Sequence, residues 1–503
     1  MVVVKATTVI AVLGIALVAL AGCTAENSPA AGDRTPVERG STTPSTNPHP
    51  CARTPKPSCD GTVTVPMDRA RAELGTITVA FRWIPPTDRS VPTAGAIVHA
   101  VGGPGFAAIM EETAAAKKIY GPLLRHRGLL LMDYRGVGKS TYLACPGLPD
   151  PSTAVAQARP APQHVRACVD GLGPKATSFD TAAAADDLED VRRALRLGAI
   201  DLYGVSYGAL FAEVFSRRHP DAVRTLTLDG GLTVRAADPT SYWSGEADTA
   251  TWALQVLPDA CRRLACLVTG DPAQLWRNLV TKVRTADDSA VRVDDLTWML
   301  PLGPDLPEML RAGQDYLRGK RQALHALVRT NRQERAEDAR ADAAQKPDQN
   351  DSGALFLQVM CNDQPVPFDR AAPADVRRRQ YDAAVKALPE GTFGPFRNAE
   401  WLQQHPPTAR MCIDWPASNH PTAPNASPYP STPTLVMTGQ LDPLTPSARQ
   451  AAHRFPNAVH IEIALGGHGV NYWTACAQEI TRGFIETTRL PARTCQADPA
   501  VNG

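Results

Sequence analysis

Gly204-Val205-Ser206-Tyr207-Gly208 decides the fold. The five residues close a short β-rich run, Ala199 to Gly204, and lead into Ala209 to Arg218, which reads as a helix. A chain that passes from strand to helix in so few residues must turn sharply, and side chains at the flanking positions would strike neighbouring backbone. Glycine at both positions removes that obstacle. Such a turn holds the Ser206 hydroxyl above the sheet edge at the start of the next helix. The five-residue pattern also occurs in ordinary glycine-rich turns, so the flanking strand and helix carry its weight.

Outward from this turn, β-rich runs alternate with helical stretches. Gly61 to Val65 and Thr76 to Ile84 read as an opening pair of strands. Ala94 to Val101 is an apolar run ending in Gly102-Gly103-Pro104-Gly105, and Leu129 to Tyr134 is a second buried run. A helix is expected from Thr181, as its cap, to about Leu197. Its acids Asp186, Asp187, Glu189 and Asp190 come early and Arg192, Arg193 and Arg196 late, an order that suits the helix dipole. Ala222 to Asp229 is the next strand. Alternation of this kind predicts a mostly parallel sheet with helices on both faces. From about Gly231 to Tyr429 the rhythm stops, leaving helical patterns and loops, with 331 to 352 expected as a mobile charged loop. Strand signals resume at Thr434 to Thr438 and Ala458 to Ala464. The expected organisation is an α/β core over 51–235 and 429–503, interrupted by a helical cap over 236–428 inserted after the sixth major strand. There is no internal repeat.

A serine nucleophile needs a base, and the base needs an orienting acid. Asp442 follows the strand Thr434 to Thr438 in Gly439-Gln440-Leu441-Asp442-Pro443, and His468 follows Ala458 to Ala464 in Gly466-Gly467-His468-Gly469. Ser206, Asp442 and His468 thus stand in the chain order of the α/β-hydrolases, each just past a strand, where open α/β sheets place their sites. Two backbone N–H groups should stabilise an oxyanion: that of Tyr207 and that of Gly103. Gly138-Lys139-Ser140 resembles the end of a phosphate-binding loop, but position 133 is Asp where that motif needs Gly. Asp133, Arg135 and Gly136 are expected to brace the site by hydrogen bonds.

The 503 residues carry 52 basic against 51 acidic side chains, a net charge of +1, which gives no basic footprint for nucleic acid. At 43 % hydrophobic and 20 % charged, the composition is that of a globular protein rather than a disordered one. Eleven cysteines are an odd set. The N-terminus accounts for one of them. Lys5 precedes an apolar stretch from Val9 to Ala21, too short for a comfortable transmembrane helix, which ends in Leu20-Ala21-Gly22-Cys23. This is the pattern of a bacterial lipoprotein signal over 1–23, with Cys23 acylated and anchored in the bilayer at about 0.8 kcal/mol per buried methylene. Residues 24–50, rich in Ser, Thr and Pro, read as a solvated tether. The remaining cysteines fall into sequence neighbours, so the expected disulfides are Cys51–Cys59, Cys145–Cys168, Cys261–Cys266, Cys361–Cys412 and Cys476–Cys495. No zinc knuckle or His-Glu-x-x-His helix occurs, and no metal or cofactor is expected.

Gly102-Gly103-Pro104-Gly105, the run Asp133-Tyr134-Arg135-Gly136-Val137-Gly138-Lys139-Ser140 and the nucleophile turn together resemble the proline iminopeptidase and tripeptidyl-aminopeptidase branch of α/β-hydrolase serine peptidases. Val359-Met360-Cys361-Asn362-Asp363, Cys412-Ile413-Asp414-Trp415-Pro416 and Asp442-Pro443-Leu444-Thr445-Pro446 narrow the resemblance. They are similar to secreted, disulfide-bearing tripeptidyl-aminopeptidase-like proteins of high-GC Gram-positive bacteria, including cell-envelope lipoprotein proteases. The resemblance implies an α/β-hydrolase fold with a mostly parallel eight-stranded sheet, a Ser206–Asp442–His468 triad, a helical lid and cleavage near a free N-terminus. Val101 departs from the His found there in many relatives, and Phe106 stands where small residues are common. An exopeptidase must hold the substrate ammonium, for which a lid carboxylate is the physical means: Glu246, Asp248 or Asp363.

The expected activity is that of an exported, lipid-anchored serine aminopeptidase releasing short N-terminal peptides through an acyl-enzyme. Its partners would be a peptide or protein with a free N-terminus and, through Cys23, the lipid bilayer. An esterase or thioesterase using the same triad, a limited endopeptidase and a non-catalytic envelope scaffold are the other readings.

Overall fold

The computed structural model describes residues 48–145, 148, 161–235, 239–300, 302–303, 305–344, 349–417 and 428–489. Eight strands form one sheet in the order β1-β2-β4-β3-β5-β6-β7-β8. β1 (Cys59–Pro66) and β2 (Thr76–Ile84) form an antiparallel pair, and β2 also meets β4 (Gly128–Met132) antiparallel. All other pairings are parallel, through β3 (Ala96–Ala100), β5 (Ile200–Val205), β6 (Val223–Asp229), β7 (Thr434–Gly439) and β8 (Ala458–Ile463). Every residue of β3, β4, β5 and β7 is buried, which is why these strands read as continuous apolar runs rather than as alternation. The Ala475–Thr487 helix seals the far side of β7 and β8, with Phe484 and Ile480 against Leu435, Met437 and Ile463.

Between β6 and β7 the described chain holds eight α-helices and no strand, from Pro239–Arg263 to Asn398–Gln404. Their buried aromatic residues, Trp276 and Trp401 among them, join the main hydrophobic cluster of the sheet, so this helical segment shares a core with it. Two expectations fail here. The charged stretch is not a loop as far as Ala344: Gln322–Ala344 is one helix. Ala, Glu, Arg and Gln are strong helix formers whatever their charge, and Leu324 and Val328 supply the buried anchor. Arg332 pairs with both oxygens of Asp295 at 2.7 and 2.6 Å, and Arg335 lies 4.0 Å above the Trp298 ring. Beyond it, 349–352 is held by specific hydrogen bonds described below.

The other failure concerns the Thr181–Ala194 helix. Asp180, not Thr181, caps it, accepting the Ala183 N–H at 2.7 Å. Arg192 and Arg193 do lie in the last turn, but no acid lies in the first, so the dipole does not explain the acids. They are committed to ion pairs: Asp187 with Arg135 and Arg69, Asp186 with Arg218 and His219, and Glu189 with Arg192 and Arg193.

Disulfides join Cys51 to Cys59, Cys145 to Cys168, Cys261 to Cys266 and Cys361 to Cys412. Cys476 is also disulfide-bonded; Cys495, its expected partner, and Cys23 lie outside the described residues. Among the described residues no helix is long and apolar enough to cross a membrane.

Candidate active site

Ser206 sits between β5 and the Tyr207–Arg218 helix with φ 57° and ψ −122°, a conformation that non-glycine residues rarely adopt. Neighbouring backbone holds it there. Its N–H donates to the Asp229 carbonyl at 3.0 Å, and its carbonyl accepts the N–H groups of Ala209 and Leu232. A methyl group on Gly204 would lie 2.0 Å from the Gly208 carbonyl oxygen, so the turn closes only with glycine at that position. Tyr207 starts the helix two residues earlier than the sequence suggested, and its N–H is therefore one of the donors that no helical carbonyl takes. The glycine run after β3 lies alongside. A Cβ built on Gly102 would be 3.0 Å from Ser206 Cβ and 3.5 Å from Ser206 Oγ, and Gly103 follows with φ 106°.

Asp442, fully buried, lies just beyond β7. Its Oδ1 accepts the Leu444 N–H at 2.8 Å, and its Oδ2 is 3.0 Å from His468 Nδ1. A carboxylate only accepts, so Nδ1 carries the proton and Nε2 is left as a base. Burial lowers the His468 pKa, but the side chain keeps 39 % exposure. The charge and hydrogen bond of Asp442, with the charge of Asp229, outweigh that effect and raise the pKa above its ordinary value. Gly230 lies under this pair: with φ 54°, it would place a Cβ 2.6 Å from Asp442 Oδ2. Gly469, the residue after His468, abuts Val205, the residue before Ser206, with 3.2 Å between its Cβ position and Val205 Cγ2. The sheet thus brings Ser206, Asp442 and His468 to one edge.

Sequence reasoning missed two supports of this edge. Asp229, fully buried at the end of β6, accepts the N–H groups of Val470 and Asn471, the Asn471 side-chain amide and the Tyr203 hydroxyl at 2.7–3.0 Å. It therefore anchors the chain just after His468. Its only signal is an acid ending an apolar strand. The second support is the strand-like segment 349–352, which lies on the oxyanion loop. Ala107 N–H donates to the Asn350 carbonyl at 2.8 Å, Ser352 N–H to the Gly105 carbonyl at 2.9 Å, and Gly138 N–H to the Gln349 carbonyl at 2.6 Å. Half-buried Phe106 bridges to Asp351 in the same strap. Buried Val101 uses its carbonyl to accept the Tyr134 hydroxyl at 3.1 Å.

Asp133 and Arg135 brace this region. Asp133 accepts the N–H groups of Ile109 and Lys139 at 2.8 Å, tying the oxyanion loop to the loop after β4. Arg135, 1 % exposed, grips both oxygens of Asp187 and the carbonyls of Met67 and Ser178. Gly136 packs against Leu355 of the cap, where a Cβ would be 3.3 Å from Leu355 Cδ1. The three acids read as ammonium partners are all engaged within the protein. Glu246 is buried, accepts the Tyr242 hydroxyl at 2.7 Å, and with Asp248 faces the Arg235 charge. Asp363 accepts the N–H and hydroxyl of Thr181, whose Oγ1 is 2.9 Å from the Tyr207 hydroxyl. Among the described residues no group of three His, Cys, Asp or Glu side chains is placed to hold a metal ion.

A family model described as alpha/beta hydrolase fold matches residues 102–249, and one described as TAP-like protein matches 399–496. The chain has the α/β-hydrolase fold. The first match spans Ser206, and the second spans Asp442 and His468. Tripeptidyl aminopeptidase of Streptomyces lividans is 28 % identical over 193 residues, 35 % of each protein, so this chain spans about a third of that relative's length. Serine protease Hip1 of Mycobacterium tuberculosis H37Rv is 25 % identical over 445 residues, 80 % of each protein. Proline iminopeptidase of Mycobacterium smegmatis is 13 % identical with a TM-score of 0.34, covering 85 % of this chain and 100 % of that one. Esterase RhEst1 of Rhodococcus sp. is 14 % identical with a TM-score of 0.37, covering 86 % and 99 %.

Proposed function

We propose that the protein is a serine peptidase that releases short peptides from a free N-terminus. The observation that carries this reading is a serine held in a strained turn on the same sheet edge as His468, whose Nδ1 is 3.0 Å from the buried Asp442 carboxylate. Ser206 Oγ attacks the scissile carbonyl while His468 Nε2 takes its proton. The N–H groups of Tyr207 and Gly103 receive the developing oxyanion. His468 then protonates the leaving amine, and water releases the acyl group by the same steps in reverse. Peptide rather than simple ester as substrate is supported by the likeness to the two curated peptidases, one of which aligns over 80 % of the chain. For a cap carboxylate among Glu246, Asp248 and Asp363 to hold the ammonium, it must take that charge alongside the protein partners it already has.

A paired substrate assay tests the reading. A tripeptide amide with a free amine should be cleaved and its N-acetylated form spared. Equal cleavage of both would make the enzyme an endopeptidase, and turnover of short acyl esters alone would make it an esterase. We place the enzyme outside the cell, anchored through acylated Cys23 and the 24–50 tether. Cys23→Ser should move the activity from the membrane fraction to the soluble fraction; membrane retention of that variant would remove the anchor.

A further inference from the structure

The pairing of β3 with β5 ends at Ala100 and Gly204, short of both oxyanion donors. Beyond it, Gly103 lies in the glycine run and Tyr207 opens the helix after Ser206. Among the described residues no main-chain hydrogen bond joins 102–105 to 206–208. An oxyanion hole works only if its donors are in place before charge develops, so side chains must hold the two segments together.

Two buried tyrosines do so. Tyr134, just past β4, packs its ring edge-on against that of Tyr207, with centroids 5.6 Å apart and planes at 79°. It also meets Phe211, one turn further along the same helix, at 4.8 Å. Its hydroxyl donates to the Val101 carbonyl at 3.1 Å, at the root of the glycine run. One side chain thus touches both donor-bearing segments. Tyr207 is held at its far end as well. Oδ2 of Asp363 in the cap accepts the Thr181 N–H at 2.9 Å and also the Thr181 hydroxyl. That hydroxyl has one proton and gives it to the carboxylate, so in the 2.9 Å contact between Tyr207 and Thr181 the Tyr207 hydroxyl donates. Burial pushes the pKa of both phenols up, so each keeps the proton it donates.

We infer that Tyr134 and Tyr207 are positioning residues that fix the separation of the two oxyanion donors, with Thr181 and Asp363 as their anchor on the cap. The inference rests on the acyl-enzyme mechanism proposed above, whichever acyl compound is cleaved. The tyrosines act through the donors and not on the substrate. Tyr134 ties the root of the glycine run to the nucleophile helix. The Thr181–Asp363 anchor keeps the Tyr207 ring, and the main chain that carries it, from turning. Misplacing a donor by a fraction of an ångström weakens its bond to the oxyanion while leaving substrate binding largely intact, so the effect belongs in kcat.

The test compares wild type with Tyr134→Phe, Tyr207→Phe, Thr181→Val and Thr181→Ser. Each rate is divided by the sites that a fluorophosphonate titrates to completion, so that misfolded protein is not counted. The substrates are p-nitrophenyl acetate and a free-amine tripeptide p-nitroanilide. The third probe is an alkyl trifluoromethyl ketone: Ser206 Oγ adds to its carbonyl carbon, the serine proton passes to His468, and the carbonyl oxygen takes the charge between the two donors. Tyr134→Phe, Tyr207→Phe and Thr181→Val should each lose about 10-fold in kcat/KM on both substrates, mainly in kcat, and the ketone Ki should rise by the same factor. Thr181→Ser keeps the acceptor and should stay within about 2-fold of wild type. Lower stability with unchanged kcat/KM per titrated site, or slower turnover with no matching rise in Ki, would show the tyrosines to be merely structural and overturn the inference. Ester turnover by wild type without any peptide cleavage would overturn the peptidase reading alone, and the ester and ketone results would still decide this one.

Discussion

A hydroxyl becomes a nucleophile here through the backbone as much as through its base. The φ of 57° at Ser206 is tolerated because Gly204 lets the turn close against Gly208. Gly204→Ala should therefore destabilise the fold by about 1–3 kcal/mol, read as a lower denaturation midpoint, and abolish activity. Ser206→Ala removes only an oxygen, so activity should vanish with thermal stability unchanged; retained turnover would refute the mechanism. His468 must be neutral to act as a base, and its pKa stands above the ordinary value, so kcat/KM should rise with pH through that raised value. In Asp442→Asn the main raising influence is gone and burial still lowers the pKa. The acidic limb should move to lower pH while kcat falls by about 10⁴-fold. At this scale Ser206, Asp442 and His468 were legible because each directly follows a strand among glycines. Asp229 was not: its partners on the His468 side, Val470 and Asn471, lie some 240 positions away, and no local pattern announces a contact made only by folding.

At the level of elements, the parallel strands were legible from apolar runs bounded by glycine, and their limits shift by only a residue or two. The charged helix Gln322–Ala344 was not, because its charge suggested solvent while its propensity favoured helix. The acids of Thr181–Ala194 invited a dipole explanation and proved to be half of an ion-pair network reaching the loops after β1 and β4. That network supplies a sharp prediction. Asp187→Ala would strand Arg135, 1 % exposed, without its bidentate partner, and should cost about 3–5 kcal/mol in chemical denaturation. A loss below about 1 kcal/mol would mean that Arg135 finds other partners. The Cys361–Cys412 bond closes 51 residues within the cap. Replacing both cysteines by serine should lower stability by roughly 2–4 kcal/mol with the triad geometry unaffected, so labelling of Ser206 by a fluorophosphonate should persist in the folded variant.

Across the whole molecule, a mostly parallel eight-stranded sheet could be expected from resemblance, whereas the joining of cap to sheet could not. Segment 349–352 belongs in sequence to the insertion between β6 and β7, yet its backbone pairs with residues 105, 107 and 138 of the hydrolase core. Hydrophobic patterning says nothing about such a pairing, since it is made of main-chain groups. It has a consequence for engineering. Caps of this kind invite exchange, as if they were interchangeable attachments on a self-sufficient engine. Here the strap that steadies the oxyanion loop is encoded inside the attachment. Excising the insertion would leave the strands of a hydrolase without the part that holds its anion-binding loop. A cap transplant should preserve activity only when residues 349–352 travel with the core rather than with the cap.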